Sequence, residues 1–94
     1  MAKYKYLTTT QFRKDVKLCV KQGRQLDLLG KAIELLLNEG RLPAEYRPHK
    51  LSGTLSGLWE CHIQSDWILI WDQNDTELTM LMTRTGSHSQ VLSM

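Results

Sequence analysis

The sequence predicts an α+β fold in the order β-α-α-β-β-β: an antiparallel sheet with an N-terminal helix hairpin packed on one face. Three observations predict it. Apolar residues recur at helical spacing between Phe12 and Leu36, then at the two-residue spacing of strands from Leu58 onward. A glycine follows each helical stretch, Gly23 and Gly40, where the chain can leave a helix through the left-handed conformation. Three strand-like runs then succeed one another across two short polar turns, the pattern of a meander. The 94 residues, 41% hydrophobic and 23% charged, suit a single domain over 1–94 with one modest core.

Each element has its own justification. Lys3 to Leu7 alternates and carries Tyr4 and Tyr6, so it reads as a short strand. Thr8 with Gln11 three residues later fits a capping box. Phe12, Val16, Cys19 and Val20 form the inner face of the first helix, and Lys14, Lys17, Lys21 and Arg24 form a basic stripe opposite. The second helix runs from about Leu26 to Glu39, with Leu29, Ala32, Ile33 and Leu36 inward. Gly30 weakens it by about 1 kcal/mol relative to Ala. Arg41 to Gly57 contains both prolines and reads as a loop.

Leu58 to Ile63 alternates, with Trp59, Cys61 and Ile63 on one face and Glu60 and His62 on the other. Gln64 to Asp66 is a turn. Trp67 to Trp71 is apolar throughout, as in a central strand covered on both sides. Asp72 to Asp75 is the second turn. Glu77 to Thr85 is the last strand, with Leu78, Met80 and Met82 alternating with Thr79, Leu81 and Thr83. The first strand joins the meander at its edge or far end. The hairpin covers one face, and the other is left to solvent or a ligand.

Composition narrows the function. A net charge of +2 permits a phosphate-bearing partner without demanding one. Cys19 and Cys61 fall at core-facing positions with no CxxC pair, and no signal peptide precedes them, so a cytoplasmic chain with two buried thiols is expected. No apolar run approaches the length of a membrane span.

The chemistry-bearing residues lie in one half of the chain. His49 precedes the meander, His62 is on the polar face of its first strand, Asp66 and Trp67 are at the next turn, and Arg84 and His88 end the last strand. Gly86 can supply a turn that swings His88 back over that polar face. An imidazole moves protons near neutrality, a guanidinium offers a fork of donors to phosphate, and an indole offers a face for a base. Together they suit RNA cleavage by 2′-OH attack on the adjacent phosphate, without a metal. The plainer readings are a core role for Trp67 and a solvated face for the basic stripe. A zinc site from His49, His62, Asp66 and His88 lacks a compact ligand spacing.

The segments "YRPHKLSG", "GLWECHIQSDWILIW" and "RTGSHS", with "TTQFRKDVKL" in the first helix, resemble the YafQ-type toxins of bacterial toxin–antitoxin modules, within the RelE/ParE superfamily. The resemblance runs nearly end to end. It implies a microbial-RNase-like fold and a small cytoplasmic endoribonuclease that cuts mRNA in the A site of the 70S ribosome. It also implies neutralisation by a cognate antitoxin. By the same carry-over His88 is the main general acid/base. His49, His62 and Asp66 support or orient it, and Arg84, Trp67 and Lys50 are the candidate RNA contacts. No cofactor is implied. The other readings are a ParE-like toxin that binds gyrase without nuclease chemistry, and a catalytically degenerate antitoxin-binding protein. The chain departs from the family pattern at Leu92, where an aromatic is common, and at Ser56 and Trp59, where Lys and Arg are common.

Overall fold

A helix begins where a side chain can satisfy its first free amides, and here Thr9 does so. Its Oγ1 accepts from the N–H of Phe12 at 2.9 Å, while Gln11 donates to Asp15 Oδ1. The cap therefore sits one residue after the expected Thr8. Thr8 is already paired with Met82 as the last residue of a strand, so the next threonine is the first one free to cap. In the computed structural model, which describes residues 2–92, strand β1 (Lys5–Thr8) leads into helix α1 (Thr10–Lys21) and helix α2 (Leu26–Glu39). Two single 3₁₀ turns flank a two-residue strand β2 (His49–Lys50) inside the expected loop. Strands β3 (Trp59–Gln64), β4 (Trp67–Asn74) and β5 (Thr79–Gly86) form the meander, and a short helix α3 (His88–Leu92) follows.

The sheet order is β1-β5-β4-β3-β2. β1 joins at the β5 edge, as expected, but runs parallel to it, so the sheet is mixed rather than antiparallel throughout. The remaining pairs are antiparallel. A parallel neighbour needs no direct turn, and here both helices and the whole meander separate the two strands in sequence. β4 also runs three residues past Trp71. Asp72, Gln73 and Asn74 pair with Leu81, Met80 and Thr79, so the expected turn moves on to Asp75–Leu78. Asn74 Oδ1 stabilises that turn by accepting from the N–H groups of Thr76 and Glu77.

α2 matches its predicted bounds and stops at Gly40 with φ 73°. A side chain there would also meet the ring of Tyr4 at 2.8 Å. In α1 the buried positions are Phe12, Asp15 and Cys19, whereas Val20, expected inward, is 56% exposed. The core lies between the helices and one sheet face. Phe12, Leu29, Ala32 and Leu36 meet Cys61, Trp67, Leu69, Trp71, Met80 and Met82.

The other face carries a different set. Cross-strand register places His49, Glu60, Ile70 and Arg84 in one row and His62, Ile68 and Gly86 in the next. Ile68 and Ile70 are buried, so part of this face, expected to be left to solvent or a ligand, is covered. Gly86, at φ 148°, makes the turn that returns the chain over it. A Cβ on Gly86 would approach Gln90 Oε1 at 3.1 Å and Val91 Cγ2 at 3.3 Å, so α3 lies directly against this glycine. Among the described residues no helix is long and apolar enough to cross a membrane.

Candidate active site

Alternation along β3 puts Glu60 and His62 on the face opposite the helices, and the two-residue pairing of β2 with β3 sets His49 beside Glu60. His49 Nε2 lies 3.1 Å from Glu60 Oε1, and His62 Nε2 lies 3.9 Å from the same oxygen. His49 Nδ1 is 2.9 Å from the carbonyl oxygen of Arg47. That oxygen can only accept, so Nδ1 carries a hydrogen. With Nε2 against the Glu60 carboxylate, the two contacts fix the orientation of the His49 ring.

The turn at Gly86 brings His88 to the same place. Its ring stands 5.1 Å from that of His62, centroid to centroid, tilted by 46°. Asp66, from the β3–β4 turn, holds His88 twice. Its Oδ1 accepts from the backbone N–H at 3.2 Å and lies 3.3 Å from Nδ1. The backbone N–H of His88, and then its ring, hold the Asp66 carboxyl below the usual carboxylate range. With Nδ1–H directed to the carboxylate, Nε2 of His88 is left to exchange protons.

Glu60 is the member of this cluster that sequence reasoning did not single out. It is 4% exposed, and its Oε2 is buried with no hydrogen-bond partner among the described residues. A buried acceptor without a partner costs about 1–3 kcal/mol, and such groups mark places where a fold serves something besides its own stability. The signal was present in the alternation, which put Glu60 on the face of His62, but an acidic residue on a strand reads first as a solvated one.

Other expected residues lie elsewhere. Trp67 is fully buried and donates its indole N–H to Thr85 Oγ1 at 2.9 Å, so it cannot stack on a base. The central strand needs apolar cover on its helix side, and Trp67 supplies it. Lys50 pairs with Trp59 and holds its Nζ over that ring at 5.7 Å, on the face away from the histidines. Arg84 shares the row of Glu60, but its Nε donates to Asp15 Oδ2 at 2.7 Å. The same oxygen accepts the N–H of Thr85. β1 ends at Thr8, so this part of the β5 edge has no strand beside it, and Asp15 of α1 caps it instead.

The thiols take no part. Burial pushes Cys61 up to about 12 and raises Cys19 as well, which leaves no thiolate for nucleophilic attack. For a metal, the usable set is Glu60, His62 and His88, whose ligand atoms lie within 4.8 Å of one another. This is not the set of His49, His62, Asp66 and His88 weighed from the sequence.

Residues 4–93 match the family model described as bacterial toxin of type II toxin–antitoxin system, YafQ. The chain belongs to the YafQ toxin family. The YafQ mRNA interferase toxin of Escherichia coli K12 is 39% identical over 80 residues, covering 84% of this chain and 85% of that protein. The E. coli DinJ–YafQ toxin–antitoxin complex contains a chain that superposes with a TM-score of 0.86 at 33% identity, covering 95% of this chain and 97% of its own. A metal-bound toxin from Helicobacter pylori superposes with a TM-score of 0.85 at 36% identity, covering 97% and 99%. The YafQ fold is thus shared nearly end to end, including the β2–β3 and β5–α3 segments that gather the histidines.

Proposed function

We propose that this YafQ-family chain is a cytoplasmic, ribosome-dependent mRNA endoribonuclease that works by metal-independent acid/base catalysis. The observation that carries this reading is the cluster of Glu60, His62 and His88, with His49 and Asp66 holding it from either side. His62, whose side chain is 22% exposed beside the buried Glu60 carboxylate, is the member of the cluster that a ribose 2′-OH can reach. The Glu60–His62 pair accepts that proton as the 2′-oxygen attacks phosphorus. The P–O5′ bond breaks, and His88 protonates the departing O5′. The products are a 2′,3′-cyclic phosphate and a 5′-hydroxyl, with atoms and charge balanced. Arg84, steadied by Asp15, donates to the phosphate oxygens as negative charge builds.

This cluster is more than a binding surface requires. A gyrase-binding toxin needs shape and charge, not two imidazoles and a buried carboxylate within proton-transfer reach. The relative from E. coli acts with an antitoxin, DinJ. In this chain the stripe Lys14, Lys17 and Lys21 is exposed, and it is the proposed dock for an acidic antitoxin segment. The decisive experiment is primer extension on mRNA in programmed 70S ribosomes with wild-type protein and His88→Ala. The expected result is cleavage by the wild type and a loss of about 10²–10⁴-fold in the variant. Equal cleavage by both proteins would overturn the assignment.

A further inference from the structure

β2 and β3 carry a second set of residues on the opposite face from the histidines. Consecutive strand residues point to opposite sides. Glu60 and His49 therefore face the acid/base cluster, while their neighbours Trp59 and Lys50 face the other way. There the chain leaves α2 at Gly40, and the helices no longer cover the sheet. A cleft of ≈ 220 Å³ opens between Trp59, Trp71, Pro48, Leu42 and Arg41. It is smaller than the ~300–1,000 Å³ pockets that hold drug-sized ligands, and it suits one planar ring system.

The rings at its wall are arranged for stacking. Trp59 and Trp71 are nearly parallel, 11° apart, with centroids 6.0 Å apart. Parallel rings in contact at that centroid separation are offset, so part of a face stays uncovered. Trp71 is buried and its indole N–H is committed to Gln73, whereas Trp59 is only partly covered. Two exposed cations stand at the mouth. Arg41 lines the cleft, and Lys50 is over Trp59 on a flexible stem. Asp75, across from them, is occupied by Tyr4 Oη and Gln73 Nε2. An aromatic wall with cations beside it matches a base and its phosphate.

We propose that this cleft is a base-binding subsite for an mRNA nucleotide next to the scissile phosphate. The RNA turns around the short β2 edge. Its reactive phosphate meets the histidine face, a flanking base lies against Trp59, and Lys50 and Arg41 hold the phosphate that joins them. Pro48 and His49 are adjacent in sequence, so the subsite and the acid/base atoms are built on the same few residues. Stacking alone is tolerant of base identity, and the narrow cleft adds a preference by size.

The inference rests on the ribonuclease reading, and the test separates the two. Cleavage of programmed ribosomes is measured as kcat and KM for wild type, Trp59→Ala, Trp59→Phe, Lys50→Ala and His88→Ala, with circular dichroism to confirm folding. Trp59→Ala is expected to raise KM by roughly 5–100-fold with kcat little changed and to flatten the preference among codons, in line with the loss of one stacked base. Trp59→Phe should restore most of the affinity, and Lys50→Ala should weaken the salt dependence of KM. If His88→Ala cleaves like wild type, the ribonuclease reading fails. If His88→Ala is inactive but folded Trp59→Ala keeps wild-type KM and codon preference, the subsite alone is overturned. Should Trp59→Ala be unfolded, a folded Trp59→Phe and Lys50→Ala pair with wild-type KM and salt dependence overturns it equally. Loss of antitoxin binding by Trp59→Ala with unchanged KM assigns the cleft to the antitoxin and also overturns it.

Discussion

The two faces of the sheet use buried residues in opposite ways. On the helix side, buried groups satisfy one another. Trp67, Leu69, Trp71, Met80 and Met82 share a core with the helices, and the indole N–H groups of Trp67 and Trp71 have acceptors in Thr85 and Gln73. On the other side Ile68 and Ile70 are as deeply buried, yet beside them lies Glu60 with an oxygen that no described residue satisfies. The first face is optimised for stability. The second leaves one buried carboxylate oxygen without a partner among the described residues. The contrast is sharpest at the centre of the sheet, because toward Trp59 the helix side itself opens into a cleft.

Four changes would break or sharpen that comparison. The largest is Leu36→Ala on the helix face. It should cost about 2–5 kcal/mol in urea unfolding, because a fully buried side chain is removed, while cleavage per folded molecule stays constant. Second, Glu60→Gln should lower cleavage by roughly 10²-fold or more with no loss of unfolding free energy. A large fall in stability instead would make Glu60 a structural residue and erase the contrast between the faces.

Third, Asp15→Asn lies at the seam between the faces. It weakens both the Arg84 pair and the cap on Thr85, so it should cost about 1–3 kcal/mol and raise KM in ribosome cleavage. Activity without any KM change would remove Arg84 from the phosphate path. The smallest effect is on pH. The Asp66 carboxyl is held down by His88, so its contribution is present above the ordinary carboxylate value of 3.8 and is lost as pH falls through the lower folded value. The amide resonance of His88 should therefore titrate below pH 3.8, and Asp66→Asn should abolish that step. Titration only above pH 3.8 would contradict the tether.

What could be read in the chain follows the range of the forces involved. α2 and its Gly40 stop were legible because helical periodicity and a left-handed cap are local. The polarity of Glu60 and His62 was legible because alternation is local too. The Thr9 cap, the Asp72–Asn74 extension of β4 and the exposure of Val20 were not. The first two depend on which distant residue is already paired, Met82 with Thr8, and Leu81, Met80 and Thr79 with the polar end of β4, and the third on how α1 is rotated against the sheet. The same holds in the site. His49, His62, Asp66 and His88 were each identifiable as proton-transfer groups, and the structure brings them together, but Trp67, read as an aromatic on that polar face, is buried on the other.

The sequence by itself determined the element types, the amphipathic faces and the supply of acid/base groups, because these depend on neighbours within a turn or a strand pair. Tertiary structure decided that β1 runs parallel to β5, that Asp15 ties down Arg84, and that Glu60 rather than a fourth polar loop residue lies between the histidines. Those outcomes come from hydrogen-bond register and burial across 11 to 74 residues of chain, where spacing along the sequence carries no distance information.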